Sequence, residues 1–137
     1  MVYPRIQRWI PAGASWHYGR PYKPPLPNIF SFLLKKKVAN IAEEAQTIVR
    51  RTGGATGTIL ALGAYDVDPR LLMFVVQVAK DADREKLKER PALAEALKEL
   101  PKKHGWPADA CGDVVFHIES QETVDREHEG NWAFRFS

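Results

Sequence analysis

The sequence predicts an α+β fold: a small antiparallel or mixed sheet of about four strands with helices on one face, preceded by an extended basic N-terminal arm. Three observations carry that reading. Apolar residues recur at helical spacing in two segments, within residues 38–49 and 93–100. Four other short segments are β-branched or alternate apolar with polar residues, the signature of strands. The charge is also divided: residues 1–37 carry seven basic side chains and no acidic one, whereas 38–137 carry 13 basic and 17 acidic ones. The formal net charge of +3 therefore conceals a strongly basic arm (1–37) on a mildly acidic body (38–137). The elements run in the order arm–α–β–β–α–β–β, which suits one layer of helices packed on one sheet.

Each element has its own justification. Residues 1–27 show no helical or strand period and contain six of the ten prolines, and the run from Pro24 to Pro27 favours an extended polyproline conformation. Residues 28–34 are largely apolar, and Lys35, Lys36 and Lys37 open the first clear helix. There Val38, Ile41, Ala42, Ala45, Ile48 and Val49 fall on one face; Arg50 and Arg51 suit the last turn, and Gly53-Gly54 supply the stop. Thr58–Tyr65 and Leu71–Ala79 read as two strands of a hairpin, separated by Asp66 to Arg70 with Pro69 in the turn. Residues 81–90 are charged and helical in character. Pro91 fits the first turn of a helix bearing Leu93, Leu97 and Leu100, limited by Pro101 and ended by His104-Gly105. Two further strands are expected from the alternation at Val114, Phe116, Ile118 and at Trp132, Phe134, Phe136, with an acidic loop over 121–130 between them.

Size and composition exclude several classes. A chain of 137 residues can bury a single core without staples. The lone Cys111 has no partner for an internal disulfide and fits a reducing, intracellular compartment, mitochondrial or bacterial cytoplasmic. The longest uncharged stretch near the middle, Thr52–Tyr65, falls short of the roughly 20 apolar residues that a spanning helix needs. Pro4, Pro11 and Gly13 interrupt any secretory h-region, and the prolines oppose the amphipathic helix of a transit peptide.

Candidate chemistry is sparse, and no cofactor is expected. Asp66 or Asp68 with Gln77 and Lys80, and Glu43 or Glu44 before them, evoke a metal-dependent nuclease, but Gln77 and Lys80 are three apart and on a strand point to opposite faces. His117 and Glu119, two apart on a strand, are weak metal candidates, with Glu122 and His128 nearby in sequence. The same two residues form the H-x-E of zinc deaminases, but no Pro-Cys-x-x-Cys follows. The glycines of 53–57 follow a helix and precede a strand, the reverse of a phosphate cradle, and lack its lysine. Cys111 lies between His104 and His117 in sequence, which neither makes nor excludes a nucleophile–base pair.

The arm is the informative feature. Arg5, Arg8, Trp9, Trp16, His17, Tyr18, Arg20, Tyr22 and Lys23 interleave cations with planar rings, and Lys35, Lys36 and Lys37 extend the positive track. Cations neutralise phosphates while rings stack on bases, so the pattern suits RNA or single-stranded DNA. Trp, Tyr and Arg are equally the preferred anchors of protein interfaces. A third reading folds the arm back on the acidic body. The expectation is a non-catalytic subunit of a large, ribosome-like or other organellar assembly, whose arm binds RNA or an acidic protein surface. A small stand-alone binder of inhibitor, immunity or anti-defence type is the alternative, and a small metal-dependent hydrolase or nuclease a second.

Overall fold

The structure, a computed structural model, describes residues 16–17, 20–21, 28–53 and 57–136. Its fold is α+β, with five helices and a three-stranded mixed sheet of the body among the described residues. Two two-residue strands, β1 (Trp16–His17) and β2 (Arg20–Pro21), pair antiparallel, a short hairpin where no strand period is visible in the sequence. Then come α1 (Asn28–Gly53), β3 (Thr58–Leu62), β4 (Met73–Val78), α2 (Asp81–Lys88), α3 (Pro91–Lys103), β5 (Val115–Ser120), α4 (Gln121–His128) and α5 (Trp132–Arg135).

The sheet order is β3-β4-β5. β3 and β4 form the expected antiparallel hairpin, with Ile59 opposite Val76. Asp68 caps a 3₁₀ turn that Pro69 opens, its carboxylate accepting from the Arg70 N–H at 3.0 Å. At Gly63 the hairpin needs a φ of +97°, and a Cβ there would lie 1.9 Å from the Leu71 carbonyl oxygen, so only glycine fits. β4 and β5 are parallel, Phe74 beside Phe116, joined by the α2–α3 crossover that parallel pairing demands.

Alternation divides the sheet's two faces. Ile59, Ala61, Phe74, Val76, Val78, Phe116 and Ile118 share one face, which α1 and α3 cover. α1 contributes Leu34, Val38, Ile41, Ala45 and Val49, and α3 contributes Leu93, Leu97 and Leu100, all buried. The Phe74 and Phe116 rings stack at 4.8 Å between centroids. Burying one such leucine or phenylalanine stabilises by about 1.5–3 kcal/mol, so this layer dominates the fold.

Two expectations are corrected. α1 starts at Asn28 rather than at Lys35, because the apolar run 28–34 is helical and already buries Leu34. α3, by contrast, ends at Lys103 before His104-Gly105 as expected, and it passes through Pro101 because in the last turn a proline forfeits only one hydrogen bond and its ring is buried in the core. The fourth body strand is absent among the described residues. Residues 121–128 form α4, capped by Ser120, whose Oγ accepts from the Thr123 N–H at 3.1 Å, and Trp132–Arg135 form one turn of helix, whose Phe134 N–H is capped by the Asn131 side chain at 3.0 Å. Five alternating residues contain too little pattern to separate a strand from a single helical turn, and the caps decide it.

Candidate functional site

The C-terminal ends of parallel strands are where open α/β sheets place ligands, so the ends of β4 and β5 come first. Here Val78 lies beside Ser120, and each strand turns directly into a helix. Glu119 is 5% exposed. Its Oε1 accepts from Arg84 Nη1 at 2.6 Å and from the Ser120 N–H at 3.0 Å, and its Oε2 accepts from Arg135 Nε at 3.0 Å. Burial alone would raise the Glu119 carboxyl, but the hydrogen bonds from Arg84, Ser120 and Arg135 outweigh it and hold the group below its usual range.

Asp81 is the second hub. It accepts from the hydroxyls of Ser120 and Thr123 and from Arg126 Nη1, the latter two at 2.7 and 3.2 Å. These bonds, Ser120's foremost, bring its carboxyl from 3.8 down to about 2. Its own backbone N–H donates to Glu122 at 2.7 Å, so α4 supplies the cap that α2 lacks from its N-cap residue Lys80. Asp81 and Glu119 both accept from fixed donors, and carboxyls held below their usual range are poor proton acceptors at neutral pH. The cluster locks α2, α4 and α5 onto the strand ends.

The proposed metal ligands do not converge. Glu119 is clasped by Arg84 and Arg135; Glu122 caps α2; the His128 ring meets the Phe134 ring edge-on. His117 shares Glu119's face but is exposed beside the Phe136 ring, 5.7 Å between centroids. Among the described residues no group of three or more His, Cys, Asp or Glu could hold a metal ion. The nuclease candidates are likewise dispersed. Asp68 pairs with Arg70, Gln77 accepts from the Thr58 hydroxyl at 2.6 Å, Lys80 precedes α2, and Glu44 holds Lys103 and His104. Cys111 Sγ donates to the Trp106 carbonyl at 3.3 Å, while His104 Nε2 lies 2.8 Å from Glu44 Oε1.

The arm candidates Arg5, Arg8, Trp9, Tyr18, Tyr22 and Lys23 lie outside the described residues. Trp16, His17 and Arg20 are placed by their backbone in β1 and β2, which brings residue 17 opposite residue 20. The lysine triplet divides. Lys37 Nζ donates to the Gly105 carbonyl at 2.9 Å and ties α1 to the end of α3. The Lys35 and Lys36 side chains are exposed and make no hydrogen bond or ion pair among the described residues.

What the sequence reading missed is the face that these lysines adjoin. On the first turns of α1, Ile29 is 70% exposed, Phe32 62% and Leu33 47%. With Lys36 they follow i, i+3, i+4, i+7 spacing, so they form one stripe, turned away from the buried stripe of Leu34, Val38 and Ile41. A contiguous apolar patch rimmed by charge is the usual mark of an interaction surface. Its signal in the sequence was available: an apolar run too dense for one helical face must expose part of itself.

Compared with known proteins, the chain matches no family model, no curated protein and no solved structure. No helix among the described residues is long and apolar enough to cross a membrane.

Proposed function

We propose that this protein is a non-catalytic accessory subunit that docks on an acidic protein surface of a larger assembly through its basic N-terminal region and the first turns of α1. One observation carries the reading: the exposed stripe of Ile29, Phe32 and Leu33 runs directly into the free cations Lys35 and Lys36. Aromatic and aliphatic anchors bordered by like charges suit a protein partner with an apolar centre and an acidic rim. RNA would use the same lysines but would gain little from isoleucine and leucine, so the patch favours protein. The four cations and five aromatics of residues 1–27 are of the same chemical kind.

The test is native co-purification of the full chain and of a Phe32→Glu/Leu33→Glu double variant. The variant is expected to keep its helical circular dichroism and melting temperature and to lose its partners by about tenfold or more, as central anchors do. Partners retained by the variant would overturn the reading, as would a variant that unfolds, since the stripe would then belong to the core. Partners released by ribonuclease would replace protein by RNA, and a single co-purifying protein would favour the stand-alone binder.

A further inference from the structure

β5 is an edge strand: it pairs with β4 on one side and with nothing described on the other. Beside it runs a groove of about 450 Å3. Side chains from both faces of β5 line this groove, Phe116 and Ile118 from one and His117 and Glu119 from the other. That is possible only if the groove lies along the strand's outer edge. The opposite wall is α3, through Leu93, Ala94 and Leu97, with Leu87 of α2 at its end. Apart from the Ser120 N–H, which Glu119 holds, the N–H and C=O groups that alternate residues of β5 direct away from β4 make no other backbone hydrogen bond among the described residues. An open ladder facing an apolar wall offers what strand addition requires, namely main-chain partners and pockets for alternate side chains.

The charge selects the occupant. Lys88, Arg90 and Lys98 stand on the groove's helical wall, exposed, their side chains without an ion pair or hydrogen bond among the described residues. The groove's one carboxylate, Glu119, is already held between Arg84 and Arg135. A second copy of this chain would oppose two cationic walls. The chain's own residues 1–27, with four basic and no acidic side chains, match the wall no better.

We propose that the outer edge of β5 and the groove beside it bind an extended acidic segment of a partner protein, which joins the sheet as a further strand. Its backbone pairs with β5, its apolar side chains enter the groove against Leu93 and Leu97, and its carboxylates meet Lys88, Arg90 and Lys98. This surface is independent of the α1 stripe.

The probe is a short peptide alternating glutamate with valine, matched to β5 in length and added to the full chain. Binding is expected to be saturable and to slow hydrogen exchange at the backbone amides of β5. N-methylation of the peptide backbone, or lysine in place of glutamate, should weaken it by about tenfold or more. A Lys88→Glu/Lys98→Glu variant should prefer the lysine peptide. Absence of saturable binding, indifference to N-methylation, or protection at the α1 stripe instead of β5 would overturn the proposal. The peptide-side changes decide the question even if the charge-reversed variant folds poorly.

Discussion

At the C-terminal end of β5, Asp81, Arg84, Glu119, Arg126 and Arg135 meet, and each carboxylate and guanidinium has a fixed partner. Along the outer edge of the same strand, Lys88, Arg90 and Lys98 have none among the described residues, and on α1 neither do Lys35 and Lys36. Both regions are rich in charge, and nothing in composition separates them. The difference lies in convergence and burial. Where opposite charges meet around a buried carboxylate they hold helices in place. Where like charges line an apolar surface they are left for something outside the chain.

Breaking the closed region should have the largest effect. Among the described residues Arg84→Met leaves the buried Glu119 with only Arg135 as its ionic partner, and it is expected to cost about 3 kcal/mol in chemical denaturation, the scale seen when one member of a buried pair is removed. A loss below measurement would mean that Arg135 alone satisfies Glu119.

A second effect is pH-dependent. The folded-state carboxyl of Asp81 lies at about 2, below its unfolded value of 3.8. Its contribution is therefore fully present above about pH 4 and is lost as pH falls toward 2. The stability difference between the wild type and Asp81→Asn should shrink across that window and stay constant above it. A difference that grows on acidification would contradict the network around Ser120 and Thr123.

The smallest effect belongs to the open region. Replacing Lys88 and Lys98 by alanine should leave the melting temperature unchanged, because neither side chain has a partner to lose. A clear fall would show that the groove's cations belong to the fold, and the contrast between the two regions would disappear.

Much of this architecture was legible in the sequence. Leu93, Leu97 and Leu100 announce α3, Val38 to Val49 the buried half of α1, and Pro69 the hairpin turn, because each side chain is buried where its period says. The errors share one cause, the assumption that what is exposed is polar and what is polar is exposed. The start of α1 was missed because Ile29, Phe32 and Leu33 are apolar and outward. The clasp on Glu119 was missed because α5, which brings Arg135 and Phe136 over that face, itself resembled a strand. α4 was hidden because a helix of mostly polar residues needs only Thr123 and Val124 buried, and its Ser120 cap is a local signal easily read as a strand end. Of the residues expected to bind, Lys35 and Lys36 stand free and Lys37 serves the fold, a division made by the Gly105 carbonyl, 68 residues away in sequence.

The mixed pairing of the sheet also orders its assembly. β3 and β4 are joined by the short connection 63–72, so their register closes a small loop and uses a contact nearby in the chain. β5 can take its place beside β4 only after the whole α2–α3 crossover has been drawn in, and only then can Arg84 reach Glu119. The larger entropy of loop closure thus falls on one strand of three. The edge that is left open in the finished molecule belongs to the strand that is hardest to bring home.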